Sequence, residues 1–285
     1  MILRAACVQF APRKGEINEN LDRIAEIISQ CAAEELDLAI FPETATSGYF
    51  LEGGVIEGAL STEQLRASIA EKIGSITRHI DFVIGFYESS GGDLYNSSAY
   101  FEWDGKELKT RHVYRKFFLP TYGVFDEDRF VSRGHELGVF DTRWGKMAMF
   151  ICEDVWHSIW PTLGAVAGAS IFIIPAASPA RGFTGDKPSN LLRYEQLLAS
   201  ISQEHSVFCL NSMLCGFEGG KGFVGSSMIV SPFGEIIGQG PMQEEHVLVA
   251  DLDLSLISVA RAQSPLLSDL KNTWGDIAQI ASEQL

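Results

Sequence analysis

Short apolar runs of strand length alternate along this chain with longer amphipathic stretches of helical period, an alternation that restricts it to a mixed α/β fold. Residues 2–10 read as a strand and 18–35 as a helix with Leu21, Ile24, Ala25, Ile28 and Ala32 on its apolar face. A second strand is expected over 37–42, and a helix over 61–79 from the spacing of Leu65, Ile69, Ile73 and Ile76. Strands follow at 81–87, 96–103 and 107–115, with Asp104-Gly105 marking a hairpin between the last two. The remainder predicts a strand over 147–151, a helix over 158–168, a strand over 170–174 and a long helix over 187–205. Strands at 206–211, 223–230 and 246–251 close the pattern, with a turn at Ser231-Pro232-Phe233-Gly234, a short strand at 235–238 and a helix-rich, polar end from 254. Crossover units mixed with hairpins call for both parallel and antiparallel pairing. No linker, low-complexity tract or solenoid repeat interrupts the chain.

Charge and cysteine usage exclude several functions. A net charge of −15, with no basic stripe, argues against a nucleic-acid surface. The five cysteines, Cys7, Cys31, Cys152, Cys209 and Cys215, are scattered without a CxxC pair or zinc-ligand spacing, so no zinc site is expected. The opening residues read as a strand rather than a signal peptide, and no run approaches the roughly 20 apolar residues of a membrane span. A cytoplasmic protein without a membrane partner is the expectation.

Three segments end on reactive side chains. Leu36-Asp37-Leu38-Ala39-Ile40-Phe41-Pro42 runs into Glu43, His112-Val113-Tyr114-Arg115 into Lys116, and Met147-Ala148-Met149-Phe150-Ile151 into Cys152. Taken singly, each has an ordinary reading: a loop carboxylate, a snorkelling lysine, a small buried hydrophobe. Together they supply a base, a fixed cation and a nucleophile, a set sufficient to cleave an amide. Gly220-Lys221-Gly222-Phe223-Val224-Gly225 matches a dinucleotide fingerprint in letters alone; it precedes a strand instead of opening a helix, and reads as a turn. His157, five residues after Cys152, reads as a structural histidine facing away from it.

Pro42-Glu43, Arg115-Lys116-x-x-Leu119-Pro120 and Ile151-Cys152-Glu153-Asp154, in that order, resemble the three motifs of the nitrilase, or carbon–nitrogen hydrolase, superfamily. The resemblance implies a four-layer αββα sandwich with two mixed sheets over residues 1–262, and a homodimer or higher homo-oligomer. The helical tail at 263–285, with little core periodicity after Pro265, reads equally as packing on a partner subunit or as a loosely docked terminal helix. It implies Glu43 as general base, Lys116 at the oxyanion and Cys152 as nucleophile, with Glu127 as a second glutamate chosen over the nearby Asp126 and Glu136. The run from Lys116 to Glu127, with Cys152-Glu153-Asp154 and Ala177-Ser178-Pro179, looks most like the glutaminase part of glutamine-dependent NAD synthetases. The chain has no Ser-Gly-Gly-x-Asp-Ser loop, so it is not expected to make NAD by itself.

The implied function is thiol-dependent hydrolysis of a small carboxamide to carboxylate and ammonia through a thioester, chemistry that needs no metal or organic cofactor. Nitrilase and N-carbamoyl hydrolase chemistry, and ammonia delivery to a separate synthetase, stand as alternatives. Tyr122, Glu153, Trp156 and Ser178 are the expected substrate-binding positions, and Arg181 could meet a substrate carboxylate. The sequence leaves open whether Cys152 rests as thiol or thiolate, because Lys116 favours the anion while burial, Glu43 and Glu127 oppose it.

Overall fold

The computed structural model describes residues 1–284; residue 285, the last of the expected tail, lies outside the described residues. Two six-stranded mixed sheets form its centre. The first runs His246–Asp253, Ile2–Gln9, Leu38–Ile40, Ile80–Ser90, Asp93–Trp103, Leu108–Arg115 in spatial order. The second runs Ile236–Gln239, Met228–Val230, Phe208–Met213, Ile171–Ala176, Gly145–Met149, Val139–Thr142.

Strand alternation explains the layering. Leu3, Ala5 and Cys7 point to the second sheet and join Met147, Met149, Ile171 and Ile173 in one core. Their neighbours Ala6, Val8 and Phe10 point the other way, onto Leu21, Ile24 and Ile28 of helix Ile17–Ala33 and Leu65, Ile69 and Ile73 of helix Thr62–Ile73. Helices Ile159–Val166 and Ser189–His205 cover the outer face of the second sheet. The result is the four-layer αββα sandwich. Helix Leu266–Gln284 rests on these last two helices through the buried Leu267. No helix among the described residues is long and apolar enough to cross a membrane.

Local chemistry set several boundaries differently from the pattern. The helix expected to reach 79 starts at a Ser61–Gln64 capping box and stops at Ile73. Ile76 stays buried, but its carbonyl accepts from Trp103 Nε1 at 2.8 Å instead of continuing a helix. The strand expected over 223–230 is two. Lys221–Val224 pairs with Cys215–Glu218 in a separate ribbon; positive φ at Gly225 (62°) and Ser226 (60°) then turns the chain before Met228–Val230 enters the sheet. Strand Val139–Thr142, absent from the pattern reading, is a short edge strand. The Asp104-Gly105 hairpin forms as expected, with Asp104 Oδ1 accepting from the N–H groups of Lys106 and Glu107.

Candidate active site

The ends of strands from both sheets meet at one point. Glu43 follows Leu38–Ile40, and Lys116 follows Leu108–Arg115 with its N–H still paired to Asn96 O at 2.9 Å. From the second sheet, Gly145–Met149 leads to Cys152 and Ile171–Ala176 leads to Ala177. The segment carrying Glu43 lies directly over Gly85, where a Cβ would stand 2.3 Å from Pro42 O and 2.8 Å from Glu43 Cα. Glycine is what allows that approach.

The carboxylate of Glu43 is fully buried and its oxygens accept three hydrogen bonds of 2.7 Å each. Lys116 Nζ and Asn96 Nδ2 donate to Oε1, and the Ala177 N–H donates to Oε2. Lys116 Nζ also donates to Glu127 Oε1 at 2.7 Å, and the Tyr49 hydroxyl donates to the same oxygen. Glu127 Oε2 is buried without a partner. Of the three carboxylates near the end of the lysine motif, Glu127 is therefore the one on Lys116. Asp126 pairs with Arg129 at the surface, and Glu136 is exposed. Burial pulls the Lys116 ammonium down, but Glu127 and Glu43 overcome it and hold the group charged. The Glu127 carboxyl is pushed up to about 7 by burial and Glu43, despite Lys116.

Cys152 opens a single 3-10 turn, Cys152–Trp156, with φ of 50°. A non-glycine residue in this left-handed region costs roughly 1–2 kcal/mol, and the conformation turns the side chain out of the strand direction. Sγ lies 3.3 Å from the Tyr194 hydroxyl and 3.7 Å from Ala177 O. Burial and Glu43 push the thiol up, against Lys116 and Tyr194, and so favour the protonated form.

Asp154 locks the turn to the lysine loop. Its Oδ1 accepts from the N–H groups of Phe117 (3.2 Å) and Phe118 (2.9 Å), and its Oδ2 from Ile151 N–H (2.9 Å) and Tyr114 O–H (2.7 Å). Burial still pushes its carboxyl up to about 6.

Beside this turn opens a cleft of about 650 Å³, lined by Tyr122, Glu153, Trp156, Arg181, Asn190 and Arg193 among others. The Tyr122 hydroxyl donates to Glu153, and the Arg181 guanidinium lies over Tyr122, Phe125 and Trp156 at 5.7, 4.9 and 5.9 Å. Ser178 is buried, its Oγ accepting from Asn190 Nδ2 at 2.7 Å. His157 stacks on Phe118 at 3.8 Å. The Gly219-Gly220 pair is the turn of the ribbon. Glu43, Lys116 and Cys152 line neither this cleft of about 650 Å³, which borders the Cys152 turn through Glu153 and Trp156, nor a separate cleft of about 400 Å³ at Tyr95, His112, Arg115 and Arg133. Among the described residues, no group of three or more His, Cys, Asp or Glu side chains is placed to hold a metal ion.

Sequence reasoning missed Tyr49, Asn96 and Tyr194 and the Ala177 N–H. Asn96 on a strand, Tyr194 on a helix and Tyr49 in the loop after Glu43 carry letters that read equally well as core or loop, and a backbone donor has no letter. The Asp of Cys152-Glu153-Asp154 stood in the motif, but its bridging contacts became visible only in three dimensions.

Residues 4–262 match the carbon-nitrogen hydrolase family. The chain is 32% identical over 257 residues to the glutamine-dependent NAD(+) synthetase of Thermotoga maritima, an alignment covering 88% of this chain and 42% of that protein. It thus spans less than half the length of that relative. It is 26% identical over 270 residues to the 2-oxoglutaramate amidase of Bacillus subtilis, covering 93% of this chain and 96% of the amidase. The crystal structure of a carbon-nitrogen hydrolase from Helicobacter pylori G27 superposes with a TM-score of 0.87 at 21% identity, over 100% of this chain and 99% of the other. The chain belongs to the carbon–nitrogen hydrolase family.

Proposed function

We propose that this protein hydrolyses the carboxamide of a small carboxylic acid, releasing ammonia, with Cys152 as nucleophile, Glu43 as general base and acid, and Lys116 as the cation at the oxyanion. The observation that carries the reading is one buried lysine held between two carboxyl groups beside a thiol at the start of a turn. Packing alone gives no reason to bury that set, since each charge costs several kcal/mol to desolvate.

The protonated thiol needs a base. Glu43 takes its proton as the sulfur attacks the amide carbon, and three donors hold the Glu43 carboxylate in place for that transfer. Lys116 Nζ has three hydrogens, two of them directed to Glu43 and Glu127, which leaves one for the developing oxyanion. The Glu153 N–H, at the start of the turn, supplies a second donor; each such donor is typically worth about 3 kcal/mol. The unpartnered Glu127 Oε2 is available to the amide NH₂. Protonated Glu43 then protonates the departing ammonia, and water activated by Glu43 hydrolyses the thioester.

For the substrate, the relatives' names point to glutamine and 2-oxoglutaramate, which share a terminal carboxamide and a distant carboxylate. Arg181 and Arg193 in the cleft would take that carboxylate. Glu153 and Tyr122 beside them would favour a substrate with an ammonium group at the same end, which glutamine has and 2-oxoglutaramate lacks.

The test is ammonia release from glutamine, 2-oxoglutaramate, asparagine, short aliphatic amides, N-carbamoyl amino acids and simple nitriles, with Cys152→Ala in parallel. Turnover of a carboxylate-bearing amide that vanishes in the variant is expected. Full turnover by Cys152→Ala overturns the mechanism; turnover of nitriles or carbamoyl compounds alone overturns the substrate class.

A further inference from the structure

Helix Ser189–His205 presents three polar side chains toward the site at helical spacing. Asn190 Nδ2 donates to Ser178 Oγ at 2.7 Å and Pro179 O at 3.0 Å. The Arg193 guanidinium lies 4.9 Å over Trp156. Tyr194 meets Trp156 edge-on at 5.3 Å and reaches its hydroxyl to within 3.3 Å of Cys152 Sγ, both side chains buried. The other polar partner of Sγ among the described residues, the Ala177 carbonyl, can only accept. Tyr194 is therefore the neighbour able to donate to the sulfur.

We infer that Tyr194 is a catalytic residue, its hydroxyl donating a hydrogen bond to the Cys152 sulfur whenever that sulfur carries negative charge; this rests on Cys152 being the nucleophile. In acylation, the Sγ proton passes to Glu43, the sulfur electron pair forms the C–S bond, and the carbonyl π pair moves to oxygen. The Tyr194 proton stays on its own oxygen throughout. In the thioester the sulfur is neutral and a weak acceptor. When water has added and the C–S bond breaks, its electron pair returns to sulfur and the hydroxyl again faces an anion. Hydrogen bonds to charged acceptors are the stronger ones, so the contact strengthens where each step places charge on sulfur.

The groups that set the charge balance at Sγ are Glu43 and Glu153, which disfavour the thiolate, and Lys116 and Tyr194, which favour it; Tyr49 and Glu127 stand behind Lys116. Burial and the nearby sulfur push the phenol itself well up, so it remains a donor.

The experiment is the rate of Cys152 carboxamidomethylation by iodoacetamide as a function of pH, read by peptide mass spectrometry, for the wild-type protein and Tyr194→Phe. Loss of the donor is expected to raise the midpoint by about one pH unit and to slow alkylation about threefold below it, the smaller thiolate fraction being partly offset by a more nucleophilic thiolate. In amide turnover, kcat falls by a similar factor with KM unchanged. A superimposable alkylation profile overturns the role of Tyr194. Should Tyr194→Phe fail to fold, 3-fluorotyrosine placed at position 194 keeps the question answerable. Its more acidic phenol donates more strongly, so the midpoint should fall, and no movement overturns the inference. Full amide hydrolysis by Cys152→Ala would instead overturn the nucleophile reading itself, a result distinct from a flat alkylation comparison.

Discussion

Replacing Gly85 with alanine adds one methyl group at a position where the chain carrying Glu43 has no room for it. The new carbon would stand 2.3 Å from Pro42 O, 2.7 Å from Thr44 N and 2.8 Å from Glu43 Cα, all of them backbone atoms that cannot rotate away. An ordinary carbon–oxygen contact is about 3.3 Å, so the segment must shift by about 1 Å. Glu43 is held by three hydrogen bonds of 2.7 Å, and a shift of that size takes at least one of them past hydrogen-bonding range. Overpacking of this kind costs about 1–3 kcal/mol of stability, a fall of several degrees in Tm for a chain of this length. Misplacing a catalytic group by about 1 Å costs about a hundredfold in rate. The assay is kcat/KM for ammonia release together with thermal melting. Gly53→Ala serves as control, since a Cβ there meets nothing within 4 Å. A Gly85→Ala protein with wild-type kcat/KM would refute both the fixed position of Glu43 and its role as base.

The other expectations concern the groups around Lys116. Glu127 and Asp154 are pushed up to about 7 and about 6 when folded, so between the ordinary carboxylate range and those values the folded protein binds protons that the unfolded chain lacks. Their contribution to stability is therefore full below the ordinary range and is lost as pH rises through about 6 and about 7. Urea melts across this window should show the unfolding free energy rising on acidification more steeply in the wild type than in Glu127→Gln, and equal slopes would contradict the assignment. Tyr49→Phe removes the hydroxyl that Glu127 Oε1 accepts but keeps the edge-on packing on Phe50 and Phe125. It is expected to cost about 1 kcal/mol of stability and to lower kcat several-fold; an unchanged kcat would show that Glu127 needs no support from Tyr49.

The sequence was most legible where one residue type has one physical use. Short apolar runs gave most strands of both sheets, though not Val139–Thr142, and Asp104-Gly105 gave its hairpin because few residues tolerate the φ of 90° found at Gly105. Ordered motifs pointed to Glu43, Lys116 and Cys152, and the structure brings the three together. Failures came where distant groups decide. The helix after Ser61 stops at Ile73 and leaves the Ile76 carbonyl to Trp103, and the strand expected over 223–230 divides because the chain must turn at Gly225 and Ser226. Tyr194 carries the same letter it would carry as core packing on a helix, and only the approach of residue 152 gives its hydroxyl a partner. Ser178 lies buried next to the cleft, its hydroxyl bound by the cleft-lining Asn190, a partner that the sequence does not reveal.

The bond from the Ala177 N–H to Glu43 joins residues 134 positions apart and crosses from one sheet to the other. It acts as an interlock. Neither sheet alone can orient the carboxylate, because Lys116 and Asn96 hold one oxygen from the first sheet while the second sheet holds the other. During synthesis the thiol at 152 and the base at 43 stay uncommitted until the strand ending at 176 has been made and docked. Parting the sheets would switch the chemistry off, because the carboxylate would lose the donor on its second oxygen. Turnover therefore registers the seam between the sheets.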